Sequence, residues 1–137
     1  MRLEDPIGYF ALADSMQQSK WDVNLREAVQ RTIISRLYYG VFHYVKLKMY
    51  GPDQDNSVTH KNLIGAAQKY VNNKGLGINI KDHISQFQKM REKADYKRSQ
   101  NIDEKFFKDA LLIFDIVKKD CTNIWGKINE ESADSSL

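Results

Sequence analysis

The chain is poor in the residues that mark secreted, membrane-bound or irregular proteins. Its 137 residues include one cysteine and two prolines. The single cysteine, Cys121, cannot form a disulfide within the chain, which favours a reducing compartment and predicts a cytoplasmic location. No run of 18 or more apolar residues occurs, so no membrane-spanning helix is expected. The opening residues MRLEDPIGYF lack a basic segment followed by an apolar stretch, so no secretory signal is expected either.

Negative charge is unevenly spread, because much of it lies at the end of the chain. The net charge is +3, and the last nine residues carry Glu130, Glu131 and Asp134 without a base. Removing these three negative charges leaves +6 on residues 1–128. We therefore predict one helical domain over residues 1–128 and an acidic, disordered tail over 129–137. A moderately basic domain is compatible with nucleic acid or an acidic protein partner, and equally with a well-solvated helical bundle.

Apolar residues recur at helical spacing along most of the chain. The pattern predicts a short helix from Pro6 to about Lys20 and four longer ones, over 23–50, 60–72, 81–96 and from a cap at Asn101 or Asp103 to Trp125. Asp5 and Thr59 are expected to cap the first and third helices. There is no internal repeat and no strand pattern. The fold class predicted is all-α, an up-and-down bundle of four main helices plus a short extra helix.

Sequence patterns for metal, phosphate or thiol chemistry are weak. The three histidines, His43, His60 and His83, fall on three different predicted helices with no carboxylate at ligand spacing, so neither a metal site nor a cofactor is predicted. Gly75-Leu76-Gly77 follows a helix instead of a strand and lacks a third glycine, which indicates a turn. Cys121 is expected to be a packing residue.

The second predicted helix carries an unusual polar stripe. Arg36 and His43 are seven residues apart, which places them within about 20° of each other on one helix face. Tyr39 and Gly40 lie between them. A glycine inside a helix costs roughly 1 kcal/mol relative to alanine, so its presence indicates the close approach of a neighbouring helix or ligand.

Two interpretations of the stripe remain open from the residues alone. In the structural one, Arg36 forms an ion pair with Asp95 of the fourth helix, and Tyr39 and His43 complete a polar network. In the functional one, Arg36 holds a phosphate while His43, of near-neutral pKa, acts as general acid or base. Ribonucleases that work without a metal need that combination for attack of the 2′-hydroxyl on the adjacent phosphate.

Three segments in order resemble one known family. SRLYYGVFH, THKNLI and MREKADYK are similar to the signature segments of bacterial and archaeal HEPN domains (higher eukaryotes and prokaryotes nucleotide-binding). With the last helix, the resemblance covers roughly residues 5 to 128. It implies an up-and-down helical bundle that often forms homodimers.

The family also implies a function. Many members are metal-independent endoribonucleases of defence or toxin–antitoxin systems, and some are partnered by a nucleotidyltransferase. Carried over to this chain, Arg36 and His43 would be catalytic, and Tyr39, Asp95, Arg91 and Tyr96 would support them, with RNA or nucleotide as ligand. The alternative is a non-catalytic nucleotide- or RNA-binding or protein-interaction bundle. It is favoured by the later stretch from Arg91 to Tyr96, where tyrosine stands in place of the family's histidine and is a poor base at neutral pH.

Overall fold

Five helices make up the structure, a computed structural model that describes residues 6–18, 23–52, 60–96 and 102–126. They are, in chain order, α1 (Pro6–Gln18), α2 (Val23–Tyr50), α3 (His60–Asn73), α4 (Ile80–Tyr96) and α5 (Glu104–Trp125). The described residues contain no strand. The prediction of an all-α fold with one short and four longer helices is confirmed, with boundaries close to those read from the apolar spacing.

Capping residues set several of the helix ends. Gly51 ends α2 with φ 84°, and its N–H donates to Leu47 O at 2.8 Å. At the start of α5, Asp103 accepts a hydrogen bond from the Phe106 N–H at 2.8 Å, so Asp103 is the N-cap. The other predicted caps, Asp5, Thr59 and Asn101, lie outside the described residues, as does the predicted tail over 129–137.

The connection between α3 and α4 is a tight turn. Gly75 and Gly77 both have φ 67°, a left-handed conformation that glycine adopts without strain. Gln68 of α3 fixes the turn from one side: its Nε2 donates to Ile78 O, and its Oε1 accepts from the Lys81 N–H, both at 2.9 Å. The turn predicted from Gly75-Leu76-Gly77 is confirmed.

The core lies between all five helices, and α2 contributes most to it. Its apolar side chains at helical spacing are almost fully enclosed: Ile33, Ile34, Leu37, Tyr38, Val41, Tyr44 and Val45. On α4, the predicted inner positions Ile84, Phe87 and Ala94 are buried, and Met90 is partly buried against them. Cys121 of α5 is also fully buried, and burial raises the pKa of its thiol, so it is a packing residue as expected.

Gly40 lets α1 lie directly on α2. A Cβ at position 40 would fall 2.5 Å from Cε1 of Phe10, whose ring occupies the space that a side chain would need. Phe10 also contacts Phe114 of α5, with ring centroids 5.8 Å apart. The close approach predicted from this glycine is therefore made by a neighbouring helix, α1.

None of the helices in the described part of the chain is both long enough and apolar enough to span a bilayer.

Candidate functional site

The predicted supporting residues Arg91 and Asp95 form a cluster where α4 packs on α2. Arg91 Nη1 donates to Asp95 Oδ2 at 3.4 Å, one helical turn away. The same carboxylate oxygen accepts a hydrogen bond from Ser35 Oγ of α2 at 3.3 Å. Ser35 is part of the string that carries the family resemblance, and it has a contact that the sequence did not indicate.

Arg91 is buried between aromatic rings. It is only 6% exposed, and its guanidinium lies 4.9 Å from the ring centre of Tyr38 and 5.4 Å from that of Tyr39. Stacking of this kind stabilises a cation that has been removed from water. Burial raises the pKa of the Tyr38 hydroxyl, and the charge of Arg91 offsets part of the rise. The arginine that the fold encloses is Arg91, which lies on the inner face of α4 with Phe87 and Ala94.

Arg36 occupies a different position from the one that the structural interpretation required. The ion pair with Asp95, which one of the two interpretations proposed, is not formed: Asp95 bonds instead to Arg91 and Ser35. Arg36 lies one residue beyond Ser35, which turns it by about 100° around α2 and away from that contact. It is half-buried, and within the described residues no hydrogen bond or ion pair joins it to another group.

His43 packs in an aromatic environment built by α1 and α2. The imidazole is stacked on the ring of Tyr9, with centroids 5.2 Å apart and planes within 3° of parallel. Phe42 meets it edge-on, with centroids 5.4 Å apart. Tyr9 also lies 6.3 Å from the ring of Tyr39. His43 itself is half-buried.

Tyr9 links the two predicted groups of residues. Arg91 of α4 stacks on Tyr39, Tyr39 contacts Tyr9 of α1, and Tyr9 covers one face of His43. Tyr9 was not predicted from the sequence, because helical spacing does not indicate which face of α1 meets which part of α2. Gly40 was the available signal, since a close approach there brings the aromatic IGYF segment onto the stripe.

Tyr96 was also predicted to support the site. Its backbone ends α4, and its side chain lies outside the described part of the structure.

A second polar cluster joins the N-terminal half of α2 to the end of α4 and the start of α5. Arg31 Nη1 donates to the carbonyl of Ala94 at 2.9 Å and to that of Lys93 at 3.4 Å. Arg31 Nη2 donates to Glu27 Oε1 at 2.8 Å, and the same oxygen accepts from the Ile102 N–H at 3.0 Å. The backbone hydrogen bond and then Arg31 hold the pKa of Glu27 below its ordinary value. Arg31 thus provides a hydrogen-bond partner for two carbonyls in the last turn of α4, where carbonyls lack the partners that a continuing helix would supply.

His83 has a carboxylate partner that its sequence neighbourhood did not reveal. Its Nδ1 lies 2.5 Å from Oδ2 of Asp120, which belongs to α5 and is 37 residues away. The pair connects α4 to α5 beside the buried Cys121. No group of three or more metal-ligating side chains occurs among the described residues.

The stripe on α2 can therefore bind an anion beside an aromatic surface. Arg36 carries a positive charge that no carboxylate neutralises in the described part, and His43 lies two helical turns away, about 10 Å along the axis. One arginine side chain and one imidazole can converge across that distance on a ligand as extended as a nucleotide. Comparisons of the chain with protein-family models, with curated proteins and with solved structures find no match.

Proposed function

We propose that the protein is a HEPN-type RNA-associated module whose ligand lies along the α2 stripe. Arg36 binds a backbone phosphate and His43 transfers a proton, so that RNA is cleaved without a metal. The observation that carries the proposal is the contrast between the two arginines. Arg91 is enclosed by Tyr38, Tyr39 and Asp95, whereas no carboxylate among the described residues neutralises the charge of Arg36, which can bind an anion.

The chemistry assigned to the stripe suits the 2′-hydroxyl of RNA. The 2′-hydroxyl loses its proton as it attacks the adjacent phosphorus, forming a new O–P bond while the 5′-oxygen leaves and accepts a proton. An imidazole can take the first proton or give the second, and a guanidinium can neutralise the charge that develops on the phosphate oxygens. DNA lacks that hydroxyl and would bind without being cut.

The biological setting is part of the same proposal. The resemblance of SRLYYGVFH, THKNLI and MREKADYK to HEPN segments supports a cytoplasmic protein of a defence or toxin–antitoxin system. It also supports a homodimer in which two stripes share a cleft, and a nucleotidyltransferase partner. The moderately basic charge of residues 1–128 is compatible with this role.

A second candidate is a bundle that binds nucleotide, RNA or a partner protein without cleaving anything. The packing of His43 favours it, because Tyr9 covers one face of the imidazole and Phe42 abuts it. In that case His43 contributes to stability, and the stripe is a binding surface only.

Binding and cleavage of a labelled single-stranded RNA in the presence of EDTA separate these functions. Arg36→Gln should weaken binding about tenfold or more, since a hydrogen bond to a charged group contributes about 1.5–3 kcal/mol. His43→Ala should slow cleavage by about 10²- to 10⁴-fold while the RNA still binds. Arg26→Gln is the matched control, because Arg26 is an exposed arginine on the same helix.

Three results would redirect the proposal. Binding without cleavage, together with a melting temperature several degrees lower in His43→Ala, would establish the second candidate. Cleavage that EDTA abolishes would contradict the metal-independent mechanism. Equal losses of affinity in Arg36→Gln and Arg26→Gln would show that binding does not use the stripe.

A further inference from the structure

We infer that Tyr9 is a positioning residue for His43, and that α1 therefore forms a wall of the site. This inference rests on the proposed function, in which His43 transfers a proton. It assigns a role to an element that carries none of the residues of the predicted site.

The ring of Tyr9 limits the orientation of the His43 imidazole. The imidazole of His43 and the phenol ring of Tyr9 are parallel within 3°, with centroids 5.2 Å apart. The second side-chain torsion of a histidine is normally broad, so an unrestrained imidazole samples many orientations. Rotation away from the observed plane would drive a ring edge into Tyr9. The stack therefore restricts the directions in which the ring nitrogens can point.

Tyr9 itself is held in place by the packing of α1. The next residue, Phe10, fills the space over Gly40 and packs against Phe114, and Ala13 one turn later is buried. These contacts fix α1 on α2 and α5. Tyr9 also contacts Tyr39, which in turn lies against the buried Arg91. The position of the imidazole is thus tied through Tyr9 to three other helices.

The orientation of the His43 imidazole should set the rate of proton transfer. Proton transfer requires the nitrogen within hydrogen-bond reach of the reacting oxygen, and a misplacement of about 1 Å can cost about 100-fold in rate. Loss of the stack should therefore lower the cleavage rate far more than the affinity for RNA, because phosphate binding depends on Arg36.

Two substitutions at one position separate the stack from the hydroxyl group. Tyr9→Phe keeps an aromatic ring, and Tyr9→Leu removes it while remaining apolar. Leu12→Ala is the control on the same helix, since Leu12 is 44% exposed. For each protein we would record the imidazole proton resonances of His43, assigned through their loss in His43→Ala, together with RNA affinity and single-turnover cleavage rate.

The expected result has a spectroscopic part and a kinetic part. In the wild type and Tyr9→Phe, the ring current of residue 9 shifts the His43 resonances upfield, and the shift disappears in Tyr9→Leu. Cleavage by Tyr9→Leu slows by about 10- to 100-fold, its affinity changes by less than about threefold, and Tyr9→Phe and Leu12→Ala stay near wild type.

Several results would overturn the inference. They are an unshifted His43 resonance in the wild type, an undiminished cleavage rate in Tyr9→Leu, an equal defect in Tyr9→Phe, or a fall in affinity as large as the fall in rate. The first of these is measured without RNA, so it remains decisive if Tyr9→Leu does not fold. A wild type that fails to cleave RNA overturns the proposed reaction and this role together, and that failure is visible before any variant is made.

Discussion

At the scale of single residues, two positions on α2 and α4 show that the same residue type can serve opposite purposes. Arg91 and Arg36 both belong to the predicted site, yet Arg91 is buried and stacked while Arg36 is half-buried. Gly65 and Gly40 form a similar pair. An added Cβ would meet nothing within 4 Å at Gly65 and would collide with Phe10 at Gly40.

The glycine pair gives opposite predictions for the same substitution. Gly65→Ala should stabilise the protein by about 0.5–1 kcal/mol, because alanine favours the helix and the site is open. Gly40→Ala gains the same helix propensity but displaces the ring of Phe10, and overpacking of this kind costs about 1–3 kcal/mol. Thermal unfolding of both variants tests this. An equal rise in melting temperature in the two would show that α1 does not lie on Gly40.

The two arginines predict different losses: Arg91→Ala should lower stability, and Arg36→Ala should lower RNA affinity. Arg91→Ala should cost roughly 2–4 kcal/mol, because it removes a buried cation from two aromatic rings and from Asp95. The estimate lies below that for a fully buried pair, since the Asp95 side chain is 22% exposed. Arg36→Ala should change stability by less than about 0.5 kcal/mol and should lower RNA affinity. Urea unfolding of both variants is the measurement, and a larger loss in Arg36→Ala would contradict the assignment.

At the scale of elements, the apolar spacing was sufficient to predict the helices but not their mutual rotation. The glycine end of α2, the Asp103 cap of α5 and the inner face of α4 all agree with the structure, because each depends on local chemistry. The partner of Asp95 was not predictable in the same way. An arginine one turn away on the same helix satisfies the carboxylate locally, and Ser35 instead of Arg36 faces it from α2.

Burial of Arg91 could have been read from the sequence more fully. It lies four residues after Phe87 and three before Ala94, which places it within the predicted apolar face of α4. The contact between Tyr9 and His43 could not have been predicted from the sequence, since it depends on the direction in which α1 crosses α2.

Glu27 helps to connect α2 to α4 and α5, and its hydrogen bonds predict how the stability of the fold depends on pH. The pKa of Glu27 is lowered in the folded protein, mainly by the Ile102 N–H and then by Arg31. The ionised form therefore stabilises the fold above the ordinary pKa of about 4.5, and this contribution is lost as the pH falls through the lowered value. Glu27→Gln should lower the unfolding midpoint at pH 7, and the difference from wild type should shrink towards pH 3.

The matched control for that experiment is Glu92→Gln, which alters an exposed carboxylate on α4. Urea midpoints at pH 7, 5 and 3 provide the comparison. A deficit in Glu27→Gln that stays constant down to pH 3, or one that Glu92→Gln reproduces, would mean that the hydrogen bonds of the carboxylate do not stabilise the ionised form.

At the scale of the whole molecule, charge sets how RNA binding should respond to salt. For single strands, the logarithm of the affinity falls against that of salt concentration with a slope of about −0.7 for each phosphate neutralised. A stripe that contacts two to four phosphates predicts a slope between about −1.4 and −2.8. Arg36→Gln should reduce its magnitude by about 0.7, and Arg26→Gln should not. Fluorescence polarisation at salt concentrations from about 50 to about 300 mM measures this slope. A flat response would exclude electrostatic recognition of RNA.

Cys121 gives the molecule an internal reporter of its own opening. Reaction with a disulfide reagent requires an accessible thiolate, whereas this thiol is fully buried and its pKa is raised. The reagent can therefore react only when α5 leaves the core, and the rate of labelling counts those events. His83→Ala, which removes the partner of Asp120 and leaves the charge next to Cys121 in place, should accelerate labelling. A substitution on the exposed face of α5, Leu112→Ala, should leave the rate unchanged, so that one cysteine measures how often the last helix detaches.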